Sequence, residues 1–176
     1  KRKISGAGFT FKAFSRWRAD VDFERQEKDG TKATSGGVFV LNAAHWPSPL
    51  KHTTDRFDAS IEYAGRILQI RGEFMGSEFD NGYSSVTWEN PVSVGFGDEL
   101  SRTALEPDNE FQQFSLVGAI RFTDWLKLTG KFSSGEGKQN DAFLPYSINP
   151  DFADRPLPRE SLTGKLETSM YRLAGR

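Results

Sequence analysis

Two histidines and a scatter of carboxylates are the side chains of this 176-residue chain whose types suit chemistry. His45 and His52 stand seven residues apart with Asp55 following, a set that could in principle hold a transition metal through imidazole nitrogen. A histidine beside Trp46 and Pro47 is more often a packing or surface residue, so no metal centre is expected. Asp20, Asp22 and Glu24 recur at every second position and could work as an acid and a base. Alternate strand residues facing water are, however, polar for solvation alone. Gly95, Gly97 and Gly135 lack the strand-to-helix context of a phosphate cradle. Gly97-Asp98-Glu99 and Asp108-Asn109-Glu110 offer oxygen ligands to a hard cation such as Ca²⁺, yet neither has EF-hand spacing. No catalytic residue is nominated, and an enzyme is not expected.

The elements that would position these residues are read from period-two alternation, which recurs seven times. Trp17, Ala19, Val21 and Phe23 alternate with Arg18, Asp20, Asp22 and Glu24. A helix would scatter these on all sides; a strand sorts them into one greasy and one charged face. Ala7 to Ala13 precede them in the same style. Phe57, Ala59, Ile61 and Tyr63 oppose Asp58 and Glu62, and Leu68, Ile70, Gly72 and Phe74 oppose Arg71 and Glu73. Leu116, Gly118, Ile120 and Phe122 oppose Ser115 and Arg121, although Val117 and Ala119 intrude on the polar side. Leu126, Leu128, Gly130 and Phe132 oppose Lys127 and Lys131, and a seventh segment sets Leu162, Gly164 and Leu166 against Lys165 and Glu167.

The connections alternate too. Short turns around Ser15, Gly65 and Asp124 join segments one to two, three to four and five to six, while links through Gly30, Pro91 and Pro150 take roughly 28 to 38 residues. Because opposed residues in an antiparallel hairpin share a face, parity restricts the pairings. Ala13 is expected opposite Trp17, Tyr63 opposite Leu68, and Phe122 opposite Leu126. Phe14, Trp17, Tyr63, Phe122 and Trp125 gather near the short turns, where an interfacial aromatic girdle belongs.

Composition sets the limits. With 23 Lys and Arg against 24 Asp and Glu and no basic block, a nucleic-acid partner is excluded, since that affinity comes from neutralised phosphates. With no Cys there is no disulfide, no thiolate zinc site and no covalent haem attachment. No apolar run approaches the ~18 to 20 residues of a membrane-spanning helix. A mean hydropathy of -0.57 leaves a membrane β-barrel open, whose strands turn polar side chains inward. Periodicity alone also admits a soluble antiparallel sandwich or lipocalin-like barrel; the alternation of short turns with long links favours the membrane. The expectation is an all-β, antiparallel transmembrane β-barrel segment of about seven strands, with short periplasmic turns and long extracellular loops. Seven strands cannot close a bacterial outer-membrane barrel, so residues 1–176 read as part of a single barrel domain truncated at both ends.

On this reading Trp17, Val21, Phe23, Phe57, Ile61, Leu68, Ile70, Leu116, Ile120, Leu126 and Leu128 face lipid. Arg18, Asp20, Asp22, Glu24, Asp58, Glu62, Arg71, Glu73, Arg121, Lys127 and Lys131 face a lumen, joined on the polar side by Lys12, Arg56, Lys165 and Glu167. The two signs interleave, with Lys12 expected diagonal to Asp20 and Glu62 diagonal to Arg71. So much charge needs a wide lumen, filled with water or with another polar protein.

The links carry the specific information. Trp88-Glu89-Asn90-Pro91, then Ala104-Leu105-Glu106-Pro107-Asp108-Asn109-Glu110-Phe111-Gln112-Gln113, then Gly118 to Phe122, then Ser133-Ser134-Gly135, Gln139-Asn140-Asp141-Ala142-Phe143-Leu144-Pro145-Tyr146 and Leu157-Pro158-Arg159 follow in order. This string resembles the MtrB/PioB family of outer-membrane β-barrels, the sheath component of porin-cytochrome electron conduits. The resemblance implies a barrel in the outer membrane of a Gram-negative bacterium, with a periplasmic multihaem c-type cytochrome in its lumen and often an extracellular multihaem cytochrome at its outer face. Haem is then carried by the partner cytochrome, no cofactor binds the barrel directly, and the lumen-facing charges become candidate cytochrome contacts. An ordinary diffusion porin of the outer membrane shares every periodicity argument and is the alternative, with a soluble β-rich binding module behind it.

Overall fold

The computed structural model describes residues 1–38, 42–90, 100–123, 125–152 and 154–176. Nine strands account for its regular structure: β1 (Arg2–Ala13), β2 (Trp17–Val38), β3 (Asn42–Ala64), β4 (Leu68–Asn81), β5 (Ser85–Glu89), β6 (Leu100–Ala104), β7 (Asn109–Arg121), β8 (Lys127–Gln139) and β9 (Gly164–Gly175). Seven of them form one antiparallel sheet in the order β1-β2-β3-β4-β7-β8-β9, and β5 pairs with β6 as a separate ribbon. Each alternating segment of the sequence lies in one strand of the large sheet.

The short turns follow the parity of the flanking residues. Ala13 opposes Trp17 across Phe14, Ser15 and Arg16. Phe14 and Ser15 both hold left-handed φ, 51° and 52°, the consecutive pair that suits the right-handed twist of a hairpin and is normally given to Asn or Gly. The Phe122 N–H donates to the Leu126 carbonyl at 3.0 Å, as parity predicts. In the second hairpin, however, Tyr63 opposes Ile70 rather than Leu68. Gly65 is the cause. Its N–H closes the turn on the Leu68 carbonyl at 2.8 Å, and a Cβ there would stand 2.8 Å from the Tyr63 ring and 3.0 Å from that same carbonyl. The turn therefore begins where a side chain is absent. A slide of two residues keeps every side chain on its face.

The link through Gly30 is no loop. β2 and β3 pair without interruption from Trp17↔Tyr63 to Val38↔Asn42, so the hairpin continues as an arm beyond His52↔Asn81, where β4 stops pairing. Alternation fails there because neither face of the arm meets an apolar phase, and polarity on both sides reads as loop. Pro47 and Pro49, which lack an N–H, are tolerated because β3 is an edge over that stretch. The link through Pro91 contains the β5–β6 ribbon, and the link through Pro150 is held by an Ala142↔Ser161 bridge. The turn around Asp124 closes as stated, though Asp124 itself, Pro91, Gly95 and the Gly97-Asp98-Glu99 cluster lie outside the described residues.

The phase of the seventh segment also differs. Phe132 opposes Tyr171 and Gly130 opposes Leu173, which puts Lys165 and Glu167 on the apolar side of the sheet and Leu166 on the polar side. Pairing by position, which the sequence of a single strand does not carry, decides this.

Among the described residues no layer covers the apolar face. Among the described residues the buried hydrophobic side chains are Ala44 and Trp46, both on the arm. Val21, Phe57, Ile61, Phe74, Phe114 and Leu116 remain exposed. The polar face, by contrast, buries Ser115 and Ser133. Greater crowding on the polar side is what a sheet curved toward that side produces.

Candidate functional site: a wall with two faces

Register places Trp17, Val21, Phe23, Phe57, Ile61, Leu68, Ile70, Leu116, Ile120, Leu126 and Leu128 on one face. Leu68 stands opposite Ile120, which stands opposite Leu128; Phe57 touches Phe74 with ring centroids 6.2 Å apart. Gly72, Gly118 and Gly130 lie among these side chains, leaving a shallow apolar depression bounded by Leu68, Leu116, Leu128 and Leu173. At the turn end Trp17 packs on Tyr63 at 5.0 Å, while Phe14 and Trp125 project, 91% and 77% exposed.

On the same face, toward the long links, the side chains turn charged all at once. Lys3 meets Glu27 at 3.6 Å, and Arg25 grips Asp55 through two bonds of 2.7 and 2.5 Å. Lys138 lies 3.5 Å from Glu110 and 2.9 Å from Glu136; Lys165 lies 2.8 Å from Glu136 and 2.7 Å from Glu167. This belt was not visible in the sequence because its residues were assigned to links or to the opposite face.

The other face carries Arg18, Asp20, Asp22, Glu24, Asp58, Glu62, Arg71, Glu73, Arg121, Lys127 and Lys131. Asp20 accepts from Thr10 Oγ1 at 2.7 Å and pairs with Arg18 on its own strand at 2.9 Å. Lys12 stands opposite Arg18 and so diagonal to Asp20, as expected, but the ion pair of Asp20 is made with Arg18 and not with Lys12. Glu62 stands directly opposite Arg71 at 3.9 Å, and Arg71 also holds Glu73 at 2.7 Å. Arg56 grips Asp58 at 2.6 Å. All these pairs are partly exposed and each contributes little stability.

Register also sorts these charges into rows across the strands. One row across the sheet reads Lys12, Arg18, Glu62, Arg71, Val117, Lys131, Arg172. Arg121 opposes Lys127 still nearer the turns. Farther from the turns the rows hold Asp20 with Glu73, then Asp22 opposite Asp58, then Glu24 opposite Arg56.

The remaining candidates scatter. His45 and His52 are an odd number of positions apart on β3 and so point to opposite faces; His52 packs edge-on against Phe79 at 5.1 Å. Asp55 is engaged by Arg25. Asp108 accepts from the Asn81 N–H at 2.6 Å, its own N–H donates to Asp141 at 2.9 Å, and Glu110 belongs to the charged belt. Gly135 is a strand residue of β8 packed under Phe111. At the long-link end Trp46 stacks on Trp88, rings 3.9 Å apart and 3° from parallel. Lys32 reaches Glu106 at 2.5 Å and holds its carboxyl below the usual range, and Arg102 donates to the Pro145 carbonyl at 3.2 Å. Trp46 and Lys32 both sit on the polar side of the arm by parity, so β5–β6 and the following link lie over that side.

An open antiparallel sheet with an uncovered apolar face and a polar, curved-in reverse is the wall of a membrane β-barrel. Over its whole length, residues 1–176, the chain matches the model of the family described as "Putative outer membrane beta-barrel porin, MtrB/PioB". The chain belongs to the MtrB/PioB family of outer-membrane β-barrels. It is similar to "Outer membrane protein MtrB" of Shewanella baltica (strain OS185), 29% identical over 168 residues. That alignment covers 95% of this chain and 23% of the relative, so the chain spans about a quarter of that protein's length. Family and relative alike place it in the outer membrane of a Gram-negative bacterium.

Proposed function

We propose that this chain is one sector of a barrel that sheathes a multihaem c-type cytochrome across the outer membrane, aligning it for electron transfer while performing no chemistry itself. The apolar face meets lipid and the polar face meets the lumen. The observation that carries this reading is the height of the apolar band. From Leu68 to Glu78 on β4, from Ile120 to Glu110 on β7 and from Leu126, just before β8, to Glu136 on it, ten residues separate the first apolar side chain from the charged belt. At ~3.3 Å per residue and a tilt of ~40°, that is about 25 Å of membrane normal, the height of an outer-membrane barrel's apolar band. The aromatic girdle marks one boundary and the ion-paired belt the other. Short turns are periplasmic; the arm, the β5–β6 ribbon and the remaining link are extracellular.

With no Cys of its own, the chain cannot attach haem covalently, so electrons that cross here travel on a partner, a periplasmic multihaem cytochrome inserted in the lumen. A second, extracellular multihaem cytochrome meets the long-link end. Support for a filled lumen comes from Leu166 and Met170, apolar and exposed on the polar face, where an open aqueous pore would favour polar side chains.

The test is purification of the full-length parent barrel in mild detergent, with haem content and electron transfer across proteoliposomes measured. Stoichiometric haem and transmembrane reduction of an enclosed acceptor are expected. A haem-free barrel that passes hydrophilic solutes in its native state would establish the diffusion-porin reading instead.

A further inference from the structure

We propose that the apolar face holds an anionic phospholipid of the periplasmic leaflet, with an acyl chain seated in the recess over Gly118 and Gly130 and its phosphate met by the arginines of the short turns. The inference rests on the orientation proposed above, short turns periplasmic, and is independent of what fills the lumen. Its starting point is a recess of about 620 Å³ in the lipid-facing wall. Gly118 stands directly opposite Gly130, and the two form its floor. Ile120 and Leu128 rise on the turn side, Leu116 and Phe132 on the far side, and Ile70 and Leu173 close the two ends.

The fold of the chain itself leaves room for side chains at both glycines. Glycine inside a strand ordinarily marks a bulge, a tight bend, or a place where a ligand or another backbone comes close. The β4–β7 and β7–β8 ladders run through Gly118 and Gly130 in unbroken register, and among the described glycines positive φ is confined to Gly30. A Cβ on Gly118 would meet nothing nearer than the Gln69 carbonyl at 3.8 Å, and one on Gly130 nothing nearer than Leu173 at 3.9 Å. The space is therefore open to an occupant from outside the chain. On a wall that faces lipid, an apolar occupant is hydrocarbon.

Depth follows from the strands. Gly118 lies four residues from Phe122, and Gly130 four from Leu126, about 13 Å along the strand and, at a tilt of ~40°, about 10 Å along the membrane normal. Half of an apolar band of about 25 Å is about 12 Å. The recess thus opens into the periplasmic leaflet, at a level that acyl chains and not headgroups occupy.

The turns supply the sign of the headgroup. Arg16 and Arg66 belong to the turns of neighbouring hairpins, where the Ala64 N–H donates to the Arg16 carbonyl at 2.8 Å. Both are exposed, and neither has an ion-pair partner among the described residues. Against them the three short turns carry one carboxylate, that of Asp124. Arg66 is two residues from Leu68, a side chain of the recess, so a phosphate held at the turn has its acyl chain at the recess. Basic side chains at a membrane surface favour anionic headgroups over zwitterionic ones.

The experiment uses the full-length parent protein in vesicles of phosphatidylethanolamine and phosphatidylglycerol, one or the other spin-labelled on its acyl chain. Electron paramagnetic resonance gives the motionally restricted fraction of each lipid, and heat-modifiability on gels reports that the barrel is assembled. The wild-type barrel is expected to restrict phosphatidylglycerol severalfold more than phosphatidylethanolamine. Arg16→Gln/Arg66→Gln should bring the two lipids level, and Gly118→Leu/Gly130→Leu should lower restricted phosphatidylglycerol to the phosphatidylethanolamine value. If the Leu pair does not assemble, Gly118→Ala/Gly130→Ala, for which there is room, should give a partial loss. Equal restriction of the two lipids by the wild-type barrel refutes the proposal. Selectivity that survives either the Gln pair or the filled recess refutes it as well. Labelling of position 15 from outside the cell would overturn the orientation on which the leaflet rests, a failure separate from that of the recess.

Discussion

Val21 stands midway up the apolar face, opposite Phe9 and Ala59 and 43% exposed. Its neighbour Asp22 points the other way, opposite Gly8 and Asp58. Val21→Arg places a guanidinium in hydrocarbon near the bilayer midplane, at a cost of about 2–4 kcal/mol. That corresponds to roughly 30- to 900-fold in the folding equilibrium. Three residues or more lie between Val21 and either boundary, about 10 Å along the strand, so an arginine reaches water only by thinning the bilayer locally. Asp22→Arg adds the same side chain to the polar face and sets it beside Asp58, where it costs little or stabilises. Ser115 is a poor control despite its polar face, being 5% exposed and too crowded for a long side chain. Denaturant unfolding of the full-length barrel in phospholipid vesicles, followed by tryptophan fluorescence, reads both variants on one scale. Equal destabilisation by the two changes, or a larger loss at Asp22, would refute the assignment of faces.

Ser15→Gly removes the Cβ penalty of one left-handed residue, about 1–2 kcal/mol where the strain is full, and Phe14→Asn places at the other a residue whose short polar side chain tolerates that conformation, so the pair should raise the midpoint of the same unfolding curve. The Lys32–Glu106 contact should respond to acid: the folded carboxyl titrates below its usual range because of Lys32, so the stabilisation is complete above the unfolded pKa of about 4.3 and fades as pH falls through the folded value. Both side chains are more than a third exposed, which limits the contribution to under about 1 kcal/mol; amide exchange in the arm should quicken on acidification, and Glu106→Gln should remove that response. Whole-cell labelling of single cysteines should reach positions 30 and 150 and spare Ser15, and the opposite pattern would invert the topology.

The faces were legible because a strand has period two and the two environments differ sharply: Trp17 to Phe23 cannot be sorted that way by a helix. Registers were less so. Parity permits slides of two, and the choice between Leu68 and Ile70 opposite Tyr63 turned on the room at Gly65, a property of three dimensions. The arm was read as a loop since Gln26 to Thr34 has no apolar side, and the cover that buries Ala44 and Trp46 comes from the distant β5–β6 ribbon, which local alternation does not reveal. The charged rows escaped notice for a related reason. Alternation tells which side a residue faces but not which residues stand abreast, and Lys12, Arg71 and Lys131 fall into one row only when the pairing of six strands is known. His45 and His52 illustrate the reverse, since their spacing on a single strand already separates them.

The arm continues about 13 residues past the charged belt, from Arg25 to Val38, some 43 Å along the strand. A free two-stranded ribbon of that length would be a cantilever, bending at its root under any sideways load. The Trp46–Trp88 stack and the Lys32–Glu106 contact attach it well above the root, as Trp46 opposes Thr34. It is therefore a braced mast, and a push near its tip is resolved partly as compression of the β5–β6 strut and not wholly as bending at the rim of the barrel.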